Sequence, residues 1–360
     1  MVASNDAVSY LKRAEKRGRR FLNPTPTQVG GFSTVFKVLP QYLKNKAQME
    51  PAGPLGPFRT DASLYATLPA SGLRVTWFGH SASLIEIDGK RVLVDPVWEE
   101  RASPFPFMGP KRFFQPTLAL ENLPMIDVVL ISHDHYDHMG ADTIGRLARL
   151  EAAAGARWVT SLGVGRWLRG FGVRAGQISE LDWTESAETA GLKVTAWPAR
   201  HFSGRGLFDR FTTLWSSFVV EGPEHRVYYG ADSGWWDGYG EIAAQYDGFD
   251  LTMLEIGAFH PLWASIHLGP DNAVRAFEAM SCAESYADGE GKERRGRQGL
   301  LMPIHWGLFN LALHGWKQPV ERIVELAEEK GFGLWLPEPG EPSEVVRGVE
   351  RRSNWWEREA

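Results

Sequence analysis

The sequence predicts an α/β fold in which two mixed β-sheets pack face to face and helices cover their outer faces. Three features predict it. Strand-length runs of apolar and β-branched residues occur in both halves of the 360-residue chain, helix-like segments follow them in each half, and no repeat of solenoid or propeller length is present.

The regular core begins at Leu73. Leu73-Arg-Val-Thr-Trp-Phe and Ser83-Leu-Ile-Glu-Ile alternate apolar and polar residues as half-buried strands do. Asp88-Gly89 supplies a two-residue hairpin turn into Arg91-Val-Leu-Val, which ends at Asp95-Pro96. Ile126-Asp-Val-Val-Leu-Ile is a β-branched run that suits a strand buried on both faces, and Thr143–Ala154 reads as a helix. In the second half, strands are expected at Trp158-Val-Thr, Lys193–Trp197, Ser217-Phe-Val-Val, Arg226–Tyr229, Leu251–Ile256 and Leu300–Ile304. Helices are expected at Gly165–Gly170, Asp271–Met280 and Pro319–Lys330, with a polar loop at Gly289–Gln298.

Residues 1–70 read as an extension. Pro24, Pro26, Pro40, Pro51, Pro54 and Pro57, with Gly30-Gly31, Gly53 and Gly56, interrupt regular structure, so this segment is expected to wrap over a neighbouring domain or a partner subunit. The catalytic domain is expected over 71–345, followed by a charged tail at 346–360. An apolar content of 43% supports a large core, and a formal charge of −5 argues against a general nucleic-acid binder. The single cysteine, Cys282, excludes an intrachain disulfide and reads as a free buried thiol. No secretory signal or membrane-spanning run is visible, so a cytoplasmic location is expected. The basic stretch Lys12–Arg20 reads first as a solvated charged helix and second as a peripheral contact with acidic headgroups.

The chemistry gathers in Ser132-His133-Asp134-His135-Tyr136-Asp137-His138, at the end of the buried strand. Imidazole and carboxylate ligands suit zinc and other first-row divalent ions. A tight turn after a strand points alternate side chains into one cavity. His133 and His135 can then share one ion, while Asp137 and His138 are left for a second. His201 follows one expected strand, Asp232 sits in Tyr229-Gly-Ala-Asp-Ser-Gly after another, and His305 follows a third. Each is weak alone, since a lone histidine after a strand is more often capped or solvated. Together they make five histidines and two aspartates at strand ends, which is where α/β scaffolds assemble sites.

This pattern resembles the metallo-β-lactamase superfamily signature. The wider set resembles its N-acylphosphatidylethanolamine-hydrolysing phospholipase D branch over roughly residues 70–320. It comprises Trp77-Phe-Gly-His80-Ser, Asp95-Pro96, Gly109-Pro-Lys-Arg-Phe113, Leu130–His138, Leu181-Asp-Trp183, Ile304-His-Trp-Gly307 and, more loosely, Ile266-His267. The resemblance implies an αββα sandwich with one ion on His133, His135 and His201, a second on Asp137, His138 and His305, and Asp232 bridging them. It also implies a role for His267 near the substrate phosphate, which makes Asp137 and His267 the expected catalytic residues. Two positions depart from the branch: Asp134 replaces the usual Asn, and Gly269 replaces an acidic residue before Pro270.

The expected cofactors are two divalent ions, zinc first, with manganese or iron suiting the same ligands. Two ions about 3.5–4 Å apart share a water and lower its pKa, so a bridging hydroxide is the expected nucleophile. The leading expectation is a phosphodiesterase acting on a small-molecule or lipid phosphodiester, and a homodimer is an expected assembly. A lactonase or carbonyl-ester hydrolase on the same site is the enzymatic alternative, and a non-catalytic metal-dependent binding or sensing protein is the other. His80 reads equally as a residue orienting a ligand and as a core histidine, and His225 as solvated; His260 and His314 are weaker candidates for the cleft. Of Trp215, Trp235, Trp236, Trp263, Trp306 and Trp316, about half are expected in the core and the rest around an apolar pocket.

Overall fold

The structure, a computed structural model, describes residues 9–30, 49–281 and 299–358, with the two-residue strands Tyr286–Ala287 and Glu293–Arg294. Cys282 and most of the polar loop expected at Gly289–Gln298 lie outside the described residues.

The first sheet contains β1 (Leu73–Gly79), β2 (Ala82–Ile87), β3 (Lys90–Val94), β4 (Val128–Ile131), β5 (Arg157–Ser161) and β6 (Ile178–Leu181) in spatial order. β1, β2 and β3 are antiparallel, and β3 to β6 are parallel. Asp88 and Gly89 both have positive φ, the backbone a two-residue hairpin demands, and they set Ile87 opposite Lys90. The second sheet contains β7 (Ser186–Thr189), β8 (Leu192–Trp197), β9 (Ser217–Glu221), β10 (Arg226–Tyr229), β11 (Leu251–Glu255) and β12 (Leu300–Ile304). β7 to β10 are antiparallel, whereas β11 lies parallel between β10 and β12. The chain then returns to the first sheet as β13 (Ser343–Glu344), antiparallel to β1.

Alternation along the strands sorts the layers. In β2 and β3, Ile85, Val92 and Val94 face inwards onto Val194, Phe218 and Val220 of the second sheet. Leu84 and Leu93 face outwards onto Ile144 and Leu147 of α1 (Ala141–Leu147) and Leu168 of α2 (Gly165–Gly170). After the short α3 (Tyr239–Ala243), α4 (Gly269–Ser281) and α5 (Gln318–Lys330) pack together, and α4 covers β11. The result is the expected αββα sandwich.

The helix expected over Thr143–Ala154 is divided. α1 ends at Leu147, and a 3-10 turn covers Glu151–Ala153. The division lets the Ala152 carbonyl accept the Ile126 N–H (2.7 Å), the donor that leads into β4. β6, β7 and β13 are not expected from the sequence. They are short edge or near-edge strands with polar, partly exposed side chains, so their apolar alternation is weak.

The flanking segments join the body. Along residues 9–30 the Tyr10 N–H binds Glu241, the Ala14 N–H binds Asp182, and Phe21 is buried with Trp183 and Trp215. Lys12 pairs with Glu15 and Arg13 with Glu185, and in place of the charged helix expected over Lys12–Arg20 the short strands Lys16–Arg17 and Arg20–Phe21 pair antiparallel. Within 346–360, Arg351–Arg352 adds a parallel strand to Trp335–Leu336, and both Trp355 and Trp356 are buried. Trp306 stacks on both Trp77 and Trp355, with ring centroids 5.3 Å away in each case, and those two rings lie 6.0 Å from each other. Charge dominates the tail's composition, but its two indoles outweigh it by removing apolar area from water. Trp355→Ala should therefore cost about 3–5 kcal/mol in denaturant unfolding, as for other large-to-small core changes. A loss under about 1 kcal/mol would show that the stack contributes little.

Candidate metal centre

Seven strand ends converge on one edge of the sandwich. Sharp backbone turns there aim the side chains: His80 after β1, Asp95 after β3, Ala231 after β10 and His305 after β12 all have positive φ. For residues other than glycine this conformation costs about 1–3 kcal/mol and persists only where surrounding contacts impose it. One such contact ties two ends together, since the His305 N–H donates to the His80 carbonyl at 2.9 Å. Gly257 is needed beside them, because a Cβ there would lie 1.9 Å from the His305 carbonyl oxygen.

The predicted residues form two adjoining groups. In the first, His133 Nε2 lies 2.8 Å from His135 Nδ1, which lies 3.3 Å from His201 Nε2. Asp232 Oδ2 is 3.5 Å from His201 Nε2 and 4.0 Å from His133 Nε2. In the second, His305 Nε2 lies 3.2 Å from Asp137 Oδ2 and 3.1 Å from Asp232 Oδ2, while His138 Nε2 lies 3.1 Å from Asp232 Oδ1. Asp232 thus touches both groups, and donor atoms in each can surround one cation. Buried His138 Nε2 and Asp232 Oδ1 face each other at 3.1 Å without hydrogen-bond geometry, and neither has another partner. Buried donor atoms gathered this closely, with no hydrogen bond between this pair, are the chemistry of a cation site, and the residues fit one.

Electrostatics point the same way. Among the side chains alone, burial opposes the charge on Asp137 and Asp232, yet His138 and His305 hold both well below the usual carboxylate range. Burial likewise disfavours charge on His305, but Asp232 and Asp137 push it up to about 10. At His133 and His201 burial prevails and the imidazoles fall well below their ordinary value, which keeps them neutral and able to ligate.

Residues outside the predicted set hold these ligands in place. Asp95, wholly buried, accepts from the Ser132 N–H (2.7 Å), Ser132 Oγ (2.5 Å), His138 Nδ1 (2.7 Å) and Tyr229 Oη (2.5 Å). It therefore fixes the His138 tautomer that leaves Nε2 free, the usual orienting role of a carboxylate behind a histidine ligand. Asn23, in the N-terminal extension, clamps the His201 backbone with a paired donor and acceptor at 2.8 and 2.9 Å, and His201 Nδ1 donates to the Ile266 carbonyl at 2.9 Å. Only the Asp-Pro dipeptide hinted at Asp95 in the sequence, and nothing local marked Asn23, because its partner lies 178 positions away.

The remaining candidates separate. His267 Nδ1 bonds Glu255 Oε2 at 2.9 Å, and its ring stands 5.1 Å from that of His201 and 5.3 Å from that of His305. Buried Glu255 also accepts the Ser233 and Leu268 N–H groups. His80 Nε2 bonds Asp137 Oδ2 at 2.9 Å, which gives it an orienting position. Asp134 is a structural tie: it accepts from the Gly204 N–H, Thr213 Oγ1 and Trp167 Nε1, joining the histidine loop to the loop after His201. Gly269 has positive φ, and a Cβ there would meet the Phe259 ring at 2.8 Å, which explains the glycine. His225, expected to be solvated, instead pairs with Asp88 at 2.6 Å, joining the β9–β10 turn to the β2–β3 hairpin. His260 caps the short 3-10 turn at Pro261, and His314 stacks on Phe259. Trp215, Trp236, Trp306 and Trp316 are core residues, and Trp235 lies under Arg275.

A sandwich whose strand ends gather histidines and aspartates around a cation-shaped gap is the architecture of a metal-dependent hydrolase. A model described as Beta-lactamase superfamily domain matches residues 90–306, and the chain belongs to that superfamily. An uncharacterized protein of Mycobacterium tuberculosis is 45% identical over 287 residues, covering 80% of this chain and 72% of its own. N-acyl-phosphatidylethanolamine-hydrolyzing phospholipase D 1 of Caenorhabditis elegans is 34% identical over 271 residues, covering 72% and 71% respectively. Among solved structures, an isothiocyanate hydrolase from Delia radicum gut bacteria aligns over 76% of this chain and 99% of its own, with 17% identity and a TM-score of 0.58; it shares the fold. Among the described residues no helix is long and apolar enough to cross a membrane.

Because Asp95 orients His138 from behind, Asp95→Asn should lower cation affinity by about 10–100-fold in a chelator competition titration. Unchanged affinity in a folded variant would remove Asp95 from the support of the site.

Proposed function

We propose that this metal-dependent hydrolase is a dinuclear phosphodiesterase acting on lipid phosphodiesters of the N-acylphosphatidylethanolamine type. The observation that carries the dinuclear reading is Asp232, whose carboxylate lies between the two donor groups. His133, His135 and His201 would hold one ion, Asp137, His138 and His305 the other, and Asp232 both; zinc suits these ligands best. The ions, when bound, would supply an acidified water at neutral pH and positive charge for the phosphoryl oxygens. The substrate reading is supported by the similarity to the C. elegans protein, whose name states that chemistry, over 72% of the chain.

The chain's own residues have distinct tasks in this reading. Glu255 accepts from His267 Nδ1 and so leaves Nε2 free on a ring that stands beside those of His201 and His305. There it can donate to a non-bridging phosphoryl oxygen as charge grows on it. His80 and Asp95 hold Asp137 and His138 in their ligating rotamers.

Elemental analysis should find about two divalent ions per chain, and Asp232→Ala should empty both positions. Bis-p-nitrophenyl phosphate should turn over faster than any β-lactam. Lactone turnover by fully loaded protein that leaves every phosphodiester intact would sink the phosphodiesterase reading in favour of carbonyl chemistry. His267→Ala should keep fold and metal while losing about a hundredfold in kcat, the scale of one electrostatic donor. Near-normal kcat with both ions bound would make His267 structural.

A further inference from the structure

The three most exposed large apolar side chains among the described residues lie on two loops that border one cavity. The first loop leaves at Arg101 and returns at Lys111, which face each other across an isolated antiparallel bridge. Phe107 at its tip is 76% exposed, Met108 56% and Phe105 46%. The second runs from Arg205 to Arg210 and is closed by the Phe211 N–H donating to the Ser203 carbonyl. Its tip carries Leu207 and Phe208, 79% and 90% exposed. Both loops border one cavity of about 540 Å³, lined also by Tyr136, Trp167 and Phe171. Tyr136 of the histidine loop lines this cavity, and the second loop follows His201 in the chain.

The two loops share one layering, with cations at the base and apolar side chains at the tip. Three of the four base cations bond to neutral carbonyls: Arg101 to Gly109, Arg205 to Asp134 and Met139, and Arg210 to Gly30. Their charge is therefore not cancelled by a bonded carboxylate. Lys111 pairs with Glu100, while Asp209 turns inwards to accept the Arg205 and Gly206 N–H groups. Scattered exposed leucines need no explanation, but apolar tips that cluster over cations at a cavity mouth do.

We propose that these two loops dock the protein on an anionic phospholipid bilayer, with Phe107, Met108, Leu207 and Phe208 entering the acyl boundary and Arg101 and Arg210 meeting the headgroup phosphates. Apolar side chains over a basic layer match the two strata of such a surface. A second copy of the chain fits less well. The tips project singly from loops rich in Pro and Gly, with no sheet edge or helix face to pair, and a protein seated there would close the cavity. The docking deepens the lipid-phosphodiester reading of the site, but it is measured by binding alone.

The test is cosedimentation of the metal-loaded full chain with vesicles of phosphatidylcholine and phosphatidylglycerol. Phe107→Ser and the double change Leu207→Ser with Phe208→Ser should each lower partitioning by about tenfold or more, the scale of one large apolar side chain returned to water. Phe208→Trp should keep it, and thermal melting should report an intact fold for each. Absence of vesicle binding by the unaltered chain would overturn the proposal. So would binding that survives the serine changes but is lost in Lys16→Glu with Arg17→Glu, or serine changes that shift only the oligomeric state. Tip-dependent vesicle binding by a chain that hydrolyses no lipid phosphodiester would uphold the docking surface and reject the substrate reading.

Discussion

The constraint on which the rest of the structure depends is the burial of charge at one edge of the sandwich. Asp95, Asp232, Glu255 and the histidines around them lie almost wholly out of water. Burying an unpaired ionised carboxylate is prohibitive, so each must find donors or a cation. Asp95 is satisfied by protein donors alone, through Ser132, His138 and Tyr229. Asp232 is not: its Oδ1 meets His138 Nε2 at 3.1 Å without hydrogen-bond geometry, and its other neighbours are the ligating imidazoles. That difference divides the carboxylates into one that organises the site and one that waits on a cation.

The fold meets this constraint by giving several strands a common end. Parallel β3, β4 and β5 in one sheet and β10, β11 and β12 in the other deliver their C-terminal ends to the same edge. The backbone then turns through positive φ at His80, Asp95, Ala231 and His305, so side chains that would otherwise alternate across a sheet face the gap. The strain of those turns is held by long-range ties, such as the His305 N–H on the His80 carbonyl and Asn23 on His201. The N-terminal extension is thereby part of the site's frame.

Much of this was legible in the sequence because it is local. The β-branched run at Ile126–Ile131 can only be a buried strand, and His133, His135, Asp137 and His138 follow it within seven residues, so strand and ligands are specified together. Asp88-Gly89 fixes its hairpin by backbone chemistry alone. His201, Asp232 and His305 were legible at one remove, through their places after strands. The edge strands β6, β7 and β13 were not, because water-facing polar residues carry little periodic signal.

What the tertiary structure alone decided is which distant groups meet. Asp95 and His138 are 43 positions apart, Glu255 and His267 are 12, and Asn23 and His201 are 178, and no local pattern encodes those pairings. The indoles make the same point. Proximity in sequence left Trp306 and Trp316 undivided between core and cleft; packing put both in the core, and Trp355 and Trp356 joined them from a tail whose composition is charged. Burying apolar area is non-directional and is settled only when every surface has found its neighbour. The sequence by itself thus determined the strands and the ligand types they carry; the assembled sheets decided how those ligands are aimed, buried and held.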